Sequence, residues 1–171
     1  MPTVSVNLKG DPNILIKQVE EVRLRLLNAL RSEGRQVQKD FNRTVATWEH
    51  KPTFETKIKL GRQDPVPEVT VWTDDENYAR VEYGTRPHII APKNAKALYY
   101  QEDFTPKTQP RVIDSKTGGK SGNYVVRGAV QHPGFEARQF SEEIKKLHDA
   151  TFQEHVESEI ARGVAQAQAK A

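Results

Sequence analysis

Tyr78–Leu98 reads YARVEYGTRPHIIAPKNAKAL, and its punctuation decides how the rest of the chain is laid out. Tyr78 and Val81, with Glu82 beside them, hold the i, i+3 and i+4 spacing of a short amphipathic helical face. Gly84 stops that helix, because glycine best tolerates the positive φ of a helix terminus. Pro87 and Pro92 follow, with Ile89 and Ile90 between them. Each proline holds its predecessor in the extended region, so the helix cannot resume. Lys93 and Lys96 flank a small-residue turn, and 96–100 reads as a strand.

Working back from this stretch, Asp74-Asp75 offers a helix N-cap. Glu68–Thr73 is a strand with Val69 and Val71 on one face and Trp72 on the other. Phe54, Thr56, Ile58 and Leu60 alternate with Glu55, Lys57 and Lys59, the pattern of a half-buried antiparallel strand. The segment 61–67, rich in Gly, Asp and Pro, is the turn between the two. Trp48 and Trp72 are expected to anchor the core or an interface. Further back, Asp11 and Pro12 open a helix over 12–45. Its apolar face is Leu15, Val19, Val22, Leu26, Leu30, Val37 and Phe41. Arg23, Arg25, Arg31, Arg35 and Arg43 lie opposite. Gly34 costs about 1 kcal/mol relative to alanine there and is the expected kink. Residues 1–10 alternate Val4, Val6 and Leu8 with polar neighbours, as an edge strand or arm would.

Working forward, the chain reads strand at 97–100, proline-rich connection at 104–110, strand at 111–114, loop at 115–122 and strand at 123–131. Within the loop, Lys116, Gly118, Gly119 and Lys120 form a long hairpin tip, a candidate for contact with a lumen or a neighbouring ring. Ser141 is expected to cap a helix over 141–163, with Glu142 and Glu143 favourably placed at its first turn. Ile144, Leu147, Phe152, Val156 and Ile160 recur at helical spacing, Gly163 ends the helix, and 164–171 is a tail without an apolar face. The expected fold is α+β in one domain over 1–171. A small, mostly antiparallel sheet within 47–131 is packed by a long N-terminal and a C-terminal helix.

Two strings carry a resemblance. Val81–Leu98 has the form VEYGT-x-PH-x-I-x-PK-x-AKAL, including Tyr83, Gly84, Thr85, Pro87, His88, Pro92 and Lys93. It resembles the signature of the small neck proteins of tailed, lambda-like bacteriophages, the tail-completion or head–tail joining proteins. His132-Pro133-Gly134, with Ala137-Arg138 and Phe140, is similar to that family's HPG-x-x-AR-x-F segment. The resemblance covers 78–163, and Gln139 stands where the family pattern has proline. It implies a structural virion protein, not an enzyme, with no cofactor. It also implies a homo-oligomeric ring at the head–tail junction, assembled in the host cytoplasm. Sixfold tail symmetry implies a hexamer, and twelvefold rings on the head side supply the other count. The implied partners are further copies, a head-side connector or head-closure protein, a tail-terminator or tail-tube protein, and double-stranded DNA passing through the lumen. Head-closure and tail-terminator roles are the near neighbours within the class.

Composition agrees with such a part. The 171 residues are 36% hydrophobic and 29% charged, with net charge +3 and no cysteine. Disulfides, thiolate metal sites and cysteine nucleophiles are thereby excluded. No apolar run approaches the ~18 residues of a membrane span, and no basic-then-apolar leader opens the chain. The expectation is a soluble protein of cytoplasm-like conditions. From Arg86 to Arg127 there are eight basic and three acidic residues, a local +5. From Ser141 to Arg162 there are three basic and six acidic, a local −3. Opposite patches on one chain suit head-to-tail contacts between copies.

Catalytic and metal chemistry find little footing. Gly119-Lys120-Ser121 would need a glycine at position 114, which is Asp114, and a following helix to act as a phosphate loop. His88 and His132 with Glu82 could make a metal site only if brought together; histidines bonded to backbone at turns are the simpler reading. There is no G-x-S-x-G elbow, and Glu82, Glu102 and Asp103 form no recognisable acid–base pair. Basic residues among Tyr99, Tyr100, Tyr124 and Arg127 could form a phosphate surface, though aromatic core positions explain them more simply. Of two other functional classes, one is a phage-encoded enzyme, marked by a pocket with convergent polar groups, and one is a double-stranded-DNA-binding protein using the arginine face of the first helix. Its signature would be steeply salt-dependent affinity.

Overall fold

The computed structural model describes residues 12–60 and 68–169. The expected arm at 1–10, the turn at 61–67 and the last two residues of the tail lie outside the described residues. Helix α1, Pro12–Thr44, is 33 residues long, about 50 Å. Helix α3, Phe140–Ala169, runs antiparallel to it. Arg25 donates to Glu159 and Gln166 toward one end, and His148 meets Glu33 and Asp40 toward the other. The two helices press together at Gly163, where a Cβ would stand 2.9 Å from Val22 Cγ2 and 3.0 Å from its Cα. Gly163 therefore does not end the helix, contrary to the sequence expectation. The Ala/Gln tail continues it to Ala169, with Ala167 buried. Alanine and glutamine are good helix formers, and α1 supplies the surface that the tail lacks by itself.

His148 is a clamp between the helices. Its Nδ1 lies 2.6 Å from Glu33 Oε1 and its Nε2 2.9 Å from Asp40 Oδ2. All three side chains are largely buried. Replacing the imidazole would strand Glu33 inside the interface and leave Asp40 with Arg43 as its partner. His148→Ala is expected to destabilise the fold by about 3 kcal/mol, toward the lower end for breaking a buried charged contact. The urea midpoint reads this, and an unchanged midpoint would rule the clamp out.

The core lies where the C-terminal part of α1 meets the start of α3. Phe41, Val45, Phe54, Tyr78, Phe140 and Ile144 are buried together, with Val37, Trp48, Val71, Val81 and Ile113 packed around them. Phe54 stacks on Phe41 and meets Tyr78 edge-on, each at 5.1 Å between centroids. Such pairs add about 0.5–1.5 kcal/mol beyond area burial. Trp48 thus joins the core as expected, and Trp72 is half-buried at the end of its strand. Tyr78 belongs to α2, Glu76–Tyr83, whose N-cap is Asp75. Burial pushes the Tyr78 hydroxyl well above the usual phenol range, so it stays neutral in the core.

The fold is α+β, but among the described residues the expected single sheet is three two-stranded antiparallel ribbons. The hairpin of β1, Glu55–Lys59, and β2, Glu68–Trp72, lies against α1 at Gly34. A Cβ on Gly34 would meet Thr56 Cγ2 at 2.7 Å and Val69 Cγ1 at 3.3 Å. Gly34 was expected to kink the helix; α1 runs through it as one element, and its bare backbone makes room for the hairpin.

The remaining strands form the other two ribbons, which follow one another along the same two stretches of chain. β3, His88–Ile90, pairs with β6, Val130–His132. β4, Leu98–Thr105, pairs with β5, Gly119–Arg127. Residues 91–97 loop out opposite 128–129, so the expected strand over 123–131 is divided. No strand forms at 111–114. Arg111 takes φ 59° and donates its N–H to Arg138 O at 2.8 Å, bending the chain onto the junction between α2 and α3.

The expected hairpin tip at 115–122 is also corrected. Gly119 and Lys120 are strand residues opposite Thr105 and Phe104. Lys116 donates its N–H to Lys107 O at 2.7 Å, and Thr47 Oγ1 donates to Lys116 O at 2.9 Å. Lys107 Nζ in turn donates to Thr47 O. Gly118 lies so close to Thr105 that a Cβ would stand 2.7 Å from its carbonyl oxygen. The connection between β4 and β5 is folded back onto the end of α1. No described helix is long and apolar enough to cross a membrane.

Candidate functional site

The two signature strings meet in space. Thr85 and Phe135 exchange both backbone hydrogen bonds, at 3.0 and 3.1 Å, forming a bridge outside the strands. Gly84 and Gly134 lie on either side of it with φ of 74° and 79°. A Cβ on Gly84 would stand 2.7 Å from Phe135 O, and one on Gly134 2.2 Å from Thr85 O. Here glycine is required twice over, by dihedral and by contact. The YGT and HPG turns are thus two halves of one crossing.

Glu82 and Arg138 tie that crossing to the helices. Glu82 is 5% exposed, yet its carboxylate is fully used. Oε2 accepts from Phe140 N–H at 2.9 Å and Oε1 from Ser141 N–H at 3.0 Å. Both amides belong to the first turn of α3, where a negative charge also meets the positive end of the helix dipole. Ser141 was expected to cap this helix; the cap comes instead from Glu82, far away in sequence. Gln139 has φ 55°, a value proline cannot adopt, so the departure from the family pattern is built into this backbone. Arg138, 9% exposed, donates from Nε to Thr108 Oγ1 at 3.2 Å and from Nη1 to Glu136 O at 3.3 Å. Its own amide donates to Val81 O and Glu82 O. One residue therefore holds α2, the 106–118 connection and the start of α3.

His88 and His132 are opposite each other across β3 and β6, their rings 5.0 Å apart. Each is bonded to nearby backbone. His88 Nδ1 lies 2.8 Å from Arg86 O, and His132 Nδ1 accepts from Gly134 N–H at 3.0 Å. An accepting Nδ1 places the proton of a neutral imidazole on Nε2, leaving His132 no lone pair there for a metal. Glu82, the third member of the metal set weighed from sequence, is committed to α3. Among the described residues no group of three His, Asp or Glu side chains is arranged so that it could hold a metal ion. Asp75, held below the usual carboxylate range by His50 beside it and by Tyr78 N–H, is committed to capping α2.

The rest of the signature lies along the ribbon. Tyr83, Pro87 and Lys93 are exposed, and Pro92 is half-buried. The ribbon arches over the body and leaves a cleft of about 760 Å³, lined by Trp48, Val81, Phe104, His132, Phe135 and Arg138 among others. Tyr99 and Tyr124, read from sequence as core positions, are instead 69% and 59% exposed and stacked at 4.7 Å. Val126, opposite Tyr99 in the ladder, is 61% exposed. Gly119-Lys120-Ser121 lies in β5 and is followed by strand, so it does not cradle phosphate in the manner of a P-loop.

The signature's polar side chains are largely spent on backbone groups. The arrangement can hold two turns, a helix start and a ribbon at fixed angles. Sequence reasoning missed the role of Glu82 and the partners of His148. The available signal was polar residues on apolar helix faces: Glu82 beside Tyr78 and Val81, and Glu33 and Asp40 seven apart among Leu30, Val37 and Phe41. Comparison with protein-family models, curated proteins and solved structures finds no match.

Proposed function

We propose that this chain is a structural subunit of a tailed-phage neck, without catalytic activity. Copies associate head-to-tail into a ring, with six as the expected number, joining the head-side connector to the tail tube and letting DNA through. Its place is the tail-completion position of the virion, next to a head-closure ring on one side and a tail terminator or tube on the other. The observation that carries this reading is the ribbon. A buried junction fixes its base, while Tyr99, Tyr124 and Val126 form an exposed apolar face on β4 and β5. A chain with so small a core gains nothing from solvating three large apolar side chains, whereas an interface core is made of such groups. Strands with open edges can also extend a neighbour's sheet. The acidic balance of 141–162 gives the basic ribbon an opposite patch to meet on the next copy.

Mass measurement of the purified chain, alone and with tail tubes, tests the ring. The triple substitution Tyr99→Ser, Tyr124→Ser, Val126→Ser is expected to leave the thermal midpoint within a few degrees and abolish assembly. Assembly of this variant at wild-type levels would remove the ribbon from the interface. A wild-type chain that remains single in the presence of tail tubes would overturn the reading.

A further inference from the structure

We propose that the outer face of α1, centred on Arg31, Arg35 and Lys39, contacts the phosphate backbone of duplex DNA without reading its sequence. This deepens the ring reading and rests on it for the source of the duplex. The three residues are all exposed and follow one another at i, i+4 and i+8, so their positions step along the helix by about 6 Å each.

Charge is sorted across this helix. Glu33 and Asp40 turn inward to His148, and the three cations turn outward. On the helix surface, the i±3 and i±4 neighbours of Arg31, Arg35 and Lys39 are Leu27, Asn28, Ser32, Gly34, Gln36, Gln38, Asn42, Arg43 and one another. None is a carboxylate, so local ion pairing does not neutralise the stripe. Arg43, the next cation along, is partnered by Asp40.

The composition of the face selects its partner. From Asn28 to Arg43 every exposed residue of α1 is polar: Asn28, Arg31, Arg35, Gln36, Lys39, Asn42 and Arg43. A protein partner would need an apolar centre and few lysines, which is what the ribbon offers; here the nearest exposed apolar side chain on the stripe is Leu24, one turn before Asn28. Arginine, lysine and amide side chains are the groups that hold phosphate oxygens. The two surfaces thus address different partners: ribbon to protein, α1 to nucleic acid. Three cations neutralising three phosphates give a slope of log affinity against log salt of about −2.7 per subunit.

Fluorescence anisotropy with the full chain and two duplexes of unrelated sequence tests this. Expected are equal affinities for both duplexes, steep weakening with salt, and a loss of at least about tenfold at low salt in Arg31→Gln, Arg35→Gln, Lys39→Gln. Arg31→Lys, Arg35→Lys is expected to retain binding, since the charge remains. Mass measurement of the glutamine variant with tail tubes is expected to match wild type. Undetectable wild-type binding at low salt, or a glutamine variant that binds DNA like wild type, overturns the proposal and leaves the ring untouched. A glutamine variant that loses assembly makes the stripe a contact between copies and also overturns it. A ring that fails to form while the salt-dependent binding and its loss persist would sink the neck reading instead.

Discussion

Gly134→Ala is expected to be the most damaging small substitution in the chain, destabilising it by about 4 kcal/mol. The left-handed conformation, φ 79°, costs an alanine about 1–2 kcal/mol. The new methyl would also lie 2.2 Å from Thr85 O and 2.8 Å from Arg86 C. Neither neighbour is a movable side chain, so the Thr85–Phe135 bridge must open, a strain of about 1–3 kcal/mol on the scale of overpacked sites. A domain of this size has about 5–15 kcal/mol in total, so soluble yield should fall along with the urea midpoint. Gly128→Ala supplies the control, since nothing lies within 4 Å of a Cβ there. It is expected to change stability by less than about 0.5 kcal/mol, as surface substitutions do. Equal midpoints for the two variants would mean that the turns do not lock together.

Glu82→Ala is expected to destabilise by about 3 kcal/mol, through a different route. It leaves the amides of Phe140 and Ser141 without acceptors at a buried helix start, each costing about 1–3 kcal/mol when fully orphaned. It also removes a negative charge from the positive end of α3, worth about 0.3–1 kcal/mol or somewhat more when partly buried. Water reaching the part-exposed Ser141 amide offsets some of this. Glu82→Gln keeps one acceptor oxygen and should lose about half as much. Hydrogen exchange separates the cap from general loosening: protection at Phe140 and Ser141 should fall before that at Leu30 in mid-α1. Unchanged exchange at those two amides would show that another group caps α3.

Both experiments act at one point because the HPG segment and the YGT segment are unrelated in sequence position and inseparable in space. The spacing of Tyr78, Val81 and Gly84 made α2 and its stop legible in the sequence, and Asp75 made its start legible. Hydrophobic periodicity did the same for α1, for most of α3 and for β1 with β2. These signals are local: a cap, a glycine and an apolar face each act within one or two turns of chain. What could not be read locally was misplaced. Gly34 and Gly163 look like breaks in a linear helix, yet each is the place where another element comes close. Gly119 and Lys120 look like a loop tip, but pairing with Thr105 and Phe104 makes them strand. Tyr99 and Tyr124 alternate as core residues would, and lie exposed on a ribbon that no described residue covers.

By itself the sequence determined the α+β class, the order and type of the main elements, the absence of cysteine chemistry and the two turns that matter most. Only tertiary structure decided that Glu82 caps a helix fifty-eight residues later, that His148 clamps α1 to α3, and that the strands divide into separate ribbons. Helix propensity and capping within a segment are set by neighbours a few bonds away, so they are written in the local order of residues. A buried carboxylate's partner and a sheet's division depend on which distant backbone groups arrive beside it, and the packed chain alone fixes that.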